Sequence, residues 1–249
     1  MAGHSRWANI KHKKAASDAK RGRLWSKACR DVMMAARSGG NPDENARLRL
    51  AIDKAKAVNV PKDTIDRAIK KGTGELEGES YEEVTYEGYG PGGVAILCRA
   101  LTDNRTRTAP EVKKIFERGG GNLGTPNCVA WMFSLKGIIS IEAGKVGEER
   151  LMEVALEAGA DDVVEADGGF EVTTSPAAYE SVKSAIETAG IPVASSDLSM
   201  TAATPVRLDL ETARKAVKLL EDLEEHDDIQ SVASNLDIPE EMMREIASA

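Results

Sequence analysis

Apolar residues recur at helical spacing through the first third of the chain and at strand spacing after it. Leu24, Trp25, Ala28, Cys29 and Val32 share one side of a helix over residues 24–37, and Ser38-Gly39-Gly40 ends it, since glycine takes the left-handed cap conformation freely. A second helix is expected from Asn41 as N-cap, with Pro42 at the first helical position and Glu44 three residues after the cap. Leu48, Ala51, Ile52, Ala55 and Val58 form its apolar face, and Asn59-Val60-Pro61 breaks it. A third helix, 61–71, buries Ile65, Ala68 and Ile69 and stops at Gly72. The three make a small antiparallel bundle with cations outside.

Residues 72–80, rich in Gly and Glu, mark a boundary. Strands at 83–87 and 94–100 follow, around the glycine-rich loop 88–93. That loop matches G-x-G-x-x-G, but Pro91 interrupts it and a strand follows it, so the helix N-terminus of a dinucleotide site is missing. A helix is expected at 110–118 with Thr108 as its cap, then a loop at 119–124 and a strand at 128–135. From Gly137 onward the pattern reads strand (138–141), helix (147–158), strands (162–165 and 169–173), helix (176–189) and strand (196–202), a β-α-β-β-α-β order of the ferredoxin type. A helix at 210–224 and a strand at 229–234 supply what the earlier β-β-α-β segment lacks. The expected class is α+β multidomain: an N-terminal three-helix bundle followed by two ferredoxin-like α/β domains, one inserted in the other. The boundaries are 1–75 for the basic arm and bundle, 76–135 with 206–238 for one α/β domain, 136–205 for the inserted one, and 239–249 for a C-terminal helix.

The 249 residues suit two or three domains, and with only 4% aromatics the cores must be aliphatic. Three widely spaced cysteines, Cys29, Cys98 and Cys128, offer neither a disulfide framework nor metal-ligand spacing, which indicates a reducing compartment. With a basic start and no apolar run after it, no secretory signal is expected, and the longest apolar run, 129–135, is far short of the ~20 residues that cross a bilayer. A cytoplasmic protein without membrane contact is expected.

Charge changes the picture most. Residues 1–73 hold 18 Lys/Arg and 7 Asp/Glu, net +11, and the remainder hold 15 and 34, net −19, which sums to the −8 of the whole chain. Within residues 3–30, nine cations face one acid, Asp18, and Trp7 and Trp25 are set among them. On a helix, Lys13, Lys20, Arg23, Lys27 and Arg30 fall within roughly 100° of arc, away from the apolar side, so the charges form a stripe. A polyanion is the partner such a stripe fits, because each phosphate neutralised releases counterions. Arg6, Lys11, Lys13, Lys14, Lys20, Arg21, Arg23 and Lys27 are the candidate phosphate contacts, and Trp7 and His12 the candidates to stack on an unpaired base. Trp25, at helical spacing from Leu24, Ala28 and Val32, reads as core. Arg105 and Arg107 stand before the helix expected at 110 and offer a second anion site, unless Asp103 pairs with them.

The opening MAGHSRWANIKHKKAASDAKRGRLWSK, the loop YEGYGPGGVAI and the segment TDNRTRTAPEVKKIF resemble the YebC/PmpR family, whose eukaryotic relatives are mitochondrial translational activators of cytochrome oxidase. The resemblance runs along essentially the whole chain. It implies a three-domain, non-enzymatic, cytoplasmic regulator, described in some members as a DNA-binding transcription factor and in others as a ribosome-associated translation factor. The expected partners are therefore promoter DNA, or ribosomal or messenger RNA and the ribosome, with no cofactor, metal or small-molecule substrate. A helix-turn-helix reading of the bundle is disfavoured, because the exposed residues Lys62, Asp63, Asp66 and Lys70 offer charges rather than base-reading groups. The enzyme alternative, a metal-dependent nuclease using Asp161, Asp162, Glu165 and Asp167, is disfavoured because Asp162 and Glu165 face opposite sides of a strand. His4, His12 and His226 lack the spacing of a zinc site.

Overall fold

The computed structural model describes residues 18–247 apart from 79, 167 and 168, and the side chains of residues 21–246 apart from 240. Helix α1 (Asp18–Ala36) packs against α2 (Ala46–Ala57) and α3 (Lys62–Thr73) around Val32, Ala35, Leu48, Ala55, Ile65 and Ala68. Trp25 joins this cluster as expected, and its indole N–H donates to the Val58 carbonyl at 2.9 Å, tying α1 to the end of α2.

Three helix boundaries of the bundle differ from expectation, the first being that of α1, expected from Leu24 and helical already at Asp18. The second helix begins at Ala46 rather than after Asn41, and its cap is Asn45, whose Oδ1 accepts from the Leu48 N–H at 3.0 Å. The Asn45 amide also donates to the Ala35 and Gly39 carbonyls, both at 2.8 Å, so the tertiary fit to the end of α1 favours the later asparagine. Asn41 instead caps a turn, accepting from the Asp43 N–H. Gly72 does not stop α3 but lies within it, where an added Cβ would stand 2.3 Å from the Met33 carbonyl oxygen and 2.7 Å from the Ala36 Cβ. The residue is small because two helices cross there; the left-handed cap is Gly74, with φ of 84°.

The first sheet has the order β3-β1-β2-β8, all neighbours antiparallel, from β1 (Glu82–Tyr89), β2 (Ala95–Thr102), β3 (Asn122–Leu123) and β8 (Ile229–Ser234). Helices α4 (Arg105–Arg118) and α7 (Leu210–Glu225) cover one face around Ile96, Cys98, Val112, Phe116, Leu219 and Leu223. Between β3 and α7 the chain builds the second sheet from β4 (Phe133–Ile141), β5 (Ala160–Ala166), β6 (Gly169–Thr174) and β7 (Val193–Ala202), in the order β5-β6-β4-β7, which is the strand order of the split β-α-β-β-α-β motif. Its helices, α5 (Glu148–Glu157) and α6 (Tyr179–Thr188), enclose Ile139, Leu151, Val172, Val182 and Ile186. Helix α8 (Glu240–Ala247) closes the chain against the first layer through Met243.

Three further corrections concern the segment between the sheets. The strands expected at 128–135 and 138–141 are one strand, β4, which starts only at Phe133; Cys128 lies in the loop before it. Asn122–Leu123, expected as loop, pairs with Gly88 and Tyr89. Helix α4 starts at Arg105, five residues before Pro110, and its cap is Asn104, which accepts from the Arg107 N–H at 3.1 Å; Thr108 is inside the helix. Pro110 is tolerated there at the cost of one main-chain bond near the helix start. The loop before β4 is shaped by Glu87, 5% exposed, whose carboxylate accepts from the N–H groups of Asn127 (2.7 Å), Val129 (2.9 Å) and Ala130 (2.7 Å). Burial alone would raise this carboxyl; the three main-chain donors outweigh it and hold it below its ordinary value.

Candidate nucleic-acid interface

The bundle holds five of the exposed cations left unpaired among the described residues; Lys114, Arg118 and Lys145 of the sheet layers are likewise exposed and unpaired. Arg37, Lys62, Arg67, Lys70 and Lys71 are exposed and make no side-chain hydrogen bond or ion pair among the described residues. The close crossing of Gly72 on Met33 and Ala36 puts Arg37 at the same end of the bundle as Lys70 and Lys71. Cations of the sheet layers more often face acids: Arg105 lies 3.7 Å from Glu82, Lys136 lies 2.8 Å from Asp161 and Arg207 lies 2.8 Å from Asp237. None of the five free bundle cations was singled out by sequence as a contact residue, although the helical wheel of α3 already set Arg67, Lys70 and Lys71 away from Ile65 and Ala68. The signal that separates them from the paired cations, the lack of an acid opposite, is tertiary.

Of the residues singled out, Arg6, Trp7, Lys11, His12, Lys13 and Lys14 lie outside the described residues, and Lys20 belongs to α1 with its side chain outside them. Arg21 is exposed and Arg23 half-buried on the same helix. Lys27 is turned inward: its Nζ donates to the Glu224 carbonyl at 2.6 Å. One turn on, Arg30 donates to the Asp227 carbonyl, lies 3.5 Å from the Asp228 carboxylate and stacks over the Tyr81 ring, 5.3 Å from its centre. Two of the five residues of the expected stripe therefore rest on the acidic corner where α7 meets β8.

Asp228 is the hub of that corner. Its side chain, 4% exposed, accepts from Arg107 and from the Thr108 hydroxyl, both at 2.7 Å. Burial would raise its carboxyl, but these two hydrogen bonds and the charges of Arg107 and Arg30 hold it below the ordinary carboxylate value. Arg107 also meets Asp103 at 3.0 Å, so local pairing occupies the arginine that an anion at the start of α4 would need. His226 completes the corner, with Nε2 3.0 Å from a Glu111 carboxylate oxygen and Nδ1 accepting from the Asp228 N–H. No sequence signal marked Asp228, because its partners are some 120 residues away. The cleft here, about 560 Å³, is lined by three arginines (Arg23, Arg30, Arg107) against five carboxylates (Asp103, Glu111, Glu225, Asp227, Asp228), so it does not form an anion pocket of its own.

The carboxylates weighed for metal chemistry are used locally. Asp161 pairs with Lys136, and Asp162 accepts from the Val163 N–H. Asp167 lies outside the described residues. No group of three or more metal-ligating side chains is found among the described residues, and none of their helices is long and apolar enough to cross a membrane.

Comparison with known proteins fits this architecture. Residues 5–75 match the model of the TACO1/YebC protein N-terminal domain, and residues 81–236 that of the TACO1/YebC second and third domain. A Methylococcus capsulatus protein is 54% identical over 99% of this chain and 100% of its own length, and a Geobacter sulfurreducens protein is 51% identical over 99% and 100%; each bears the name "probable transcriptional regulatory protein". The crystal structure of a conserved hypothetical protein, Aq1575, from Aquifex aeolicus superposes with a TM-score of 0.83 at 49% identity, covering 94% of this chain and 98% of that one.

Proposed function

The chain belongs to the TACO1/YebC family, and from that premise we propose that it is a non-enzymatic regulator of gene expression that grips nucleic acid with its basic arm and bundle. The names of its relatives support regulation of transcription. The observation that carries nucleic-acid contact is charge segregation: net +11 over residues 1–73 against −19 over the rest, with free cations on the bundle. Such polarity steers a polyanion to one end of the molecule and repels it from the other.

Neutralising about five phosphates makes log K fall with log salt at a slope of roughly −4.5 on duplex and −3.5 on single strands. Replacing Arg67, Lys70 and Lys71 together by alanine should make the slope shallower by about 2 to 3, uniformly across sequences. Anisotropy titrations of a labelled oligonucleotide between 50 and 300 mM salt read both numbers; a wild-type slope near zero refutes the proposal.

One observation favours RNA or the ribosome over promoter DNA. The outer face of α3 alternates Lys62, Asp63, Asp66, Arg67, Lys70 and Lys71, a surface suited to backbones and poor in groups that read base edges. Competition of ribosomes and promoter fragments for the same labelled protein separates the two targets.

A further inference from the structure

The interfaces of the bundle differ in kind from the one between the sheets. The two sheet layers share a buried apolar cluster of Ala95, Leu97, Val129, Phe133 and Ala233. The bundle core contains only bundle residues, and among the described residues Leu50 alone reaches into a neighbouring apolar cluster. What joins the bundle to the rest is charge. Arg99 pairs with Asp31 at 2.5 Å and with Glu83 at 3.2 Å, Arg47 meets Glu83 at 2.9 Å, and Lys54 meets Asp197 at 2.5 Å. Lys27 and Arg30 sit on the acidic corner.

We infer that the face of α1 bearing Lys27 and Arg30 is a masked polyphosphate site, occupied in the closed molecule by the acidic corner at residues 224–228 and uncovered when the bundle swings away. This rests on the reading that the bundle binds nucleic acid, and adds an internal competitor to it. Three features make the corner a phosphate substitute. It gathers Glu224, Glu225, Asp227 and Asp228 at the C-terminal end of α7, where the helix dipole adds negative potential. It offers Arg30 a carboxylate and a carbonyl, and Lys27 a carbonyl, much as backbone oxygens would. And it can let go cheaply: Asp228 keeps Arg107 and Thr108, both within its own layer and both closer than Arg30, so departure of α1 strands no buried charge. Water can take over the two carbonyls.

The test uses the full chain and a 20-nucleotide single-stranded probe. A Glu224→Gln/Glu225→Gln/Asp227→Asn variant weakens the competitor; Glu157→Gln/Glu180→Gln/Glu187→Gln on α5 and α6 removes the same charge elsewhere. The corner variant should bind the probe roughly three- to tenfold tighter than the control variant at 100 mM salt. Equal affinities overturn the mask and leave nucleic-acid binding standing; no binding by any form sinks both.

Discussion

Glu87 illustrates how one side chain can carry an entire loop. Its carboxylate is the acceptor for three main-chain N–H groups between Asn127 and Ala130, and Asn127 holds a positive φ of 67° within that loop. In Glu87→Gln one acceptor oxygen becomes a donor facing another donor, so the variant should lose about 2–3 kcal/mol, read as a lower urea midpoint at pH 7. Acid supplies a second check. Glu87, Asp228 and Glu83 all titrate below their ordinary values in the fold, the last because Arg47 and Arg99 outweigh the effect of its burial. Groups depressed in the folded state stabilise it above their unfolded pKa, about 4, and that stability is lost as pH falls through the folded values. Denaturation midpoints should therefore hold from neutrality to about pH 5 and fall below it, and the gap between wild type and Glu87→Gln should narrow over the same range. None of this was legible in the sequence, where Glu87 read as one more residue of a strand: its partners lie about 40 residues on, in a stretch expected to be strand itself.

At the scale of elements, the apolar period located nearly every helix and strand, because burial of one face is a local pattern that survives tertiary packing. Boundaries fared worse wherever two residues could serve one role. Asn41-Pro42 satisfies every local rule for a helix start, and Asn45 wins only because its amide reaches back to Ala35 and Gly39. Asn45→Ala should accordingly cost about 1–2 kcal/mol, and Asn41→Ala well under half of that, in paired urea titrations. Gly72 carries the same lesson with the opposite sign. Alanine is the better helix former by about 1 kcal/mol, so a local reading expects Gly72→Ala to stabilise α3. Its Cβ would instead collide with the Met33 carbonyl and Ala36 across the α1–α3 crossing, both main-chain or rigid groups, and a net loss of about 1–3 kcal/mol is expected.

For the molecule as a whole, the charge division was written plainly in the sequence, while its internal use was not. Counting could say that residues 1–73 are cationic and the rest anionic, but not that Lys27 and Arg30 spend part of that charge on the acidic corner, since the contact spans 197 residues. The return of the late α-β pair to the first sheet was legible from the helix and strand its segment lacked, although that segment's last strand, expected at 128–135, is Asn122–Leu123. The two kinds of interface then set how the protein comes apart. An apolar seam does not weaken in KCl, whereas the bundle's ion pairs, in direct contact and partly exposed, weaken as the Debye length falls to about 3 Å near 1 M. Calorimetry in 1 M KCl should therefore show the bundle melting ahead of the sheet layers, which continue to unfold as one unit. Phe133→Ala attacks the other joint. Phe133 is 8% exposed in the seam with Leu97, Val129 and Ala233, and its truncation should cost about 3–5 kcal/mol, part the two sheet transitions even at low salt, and leave the bundle transition where it was.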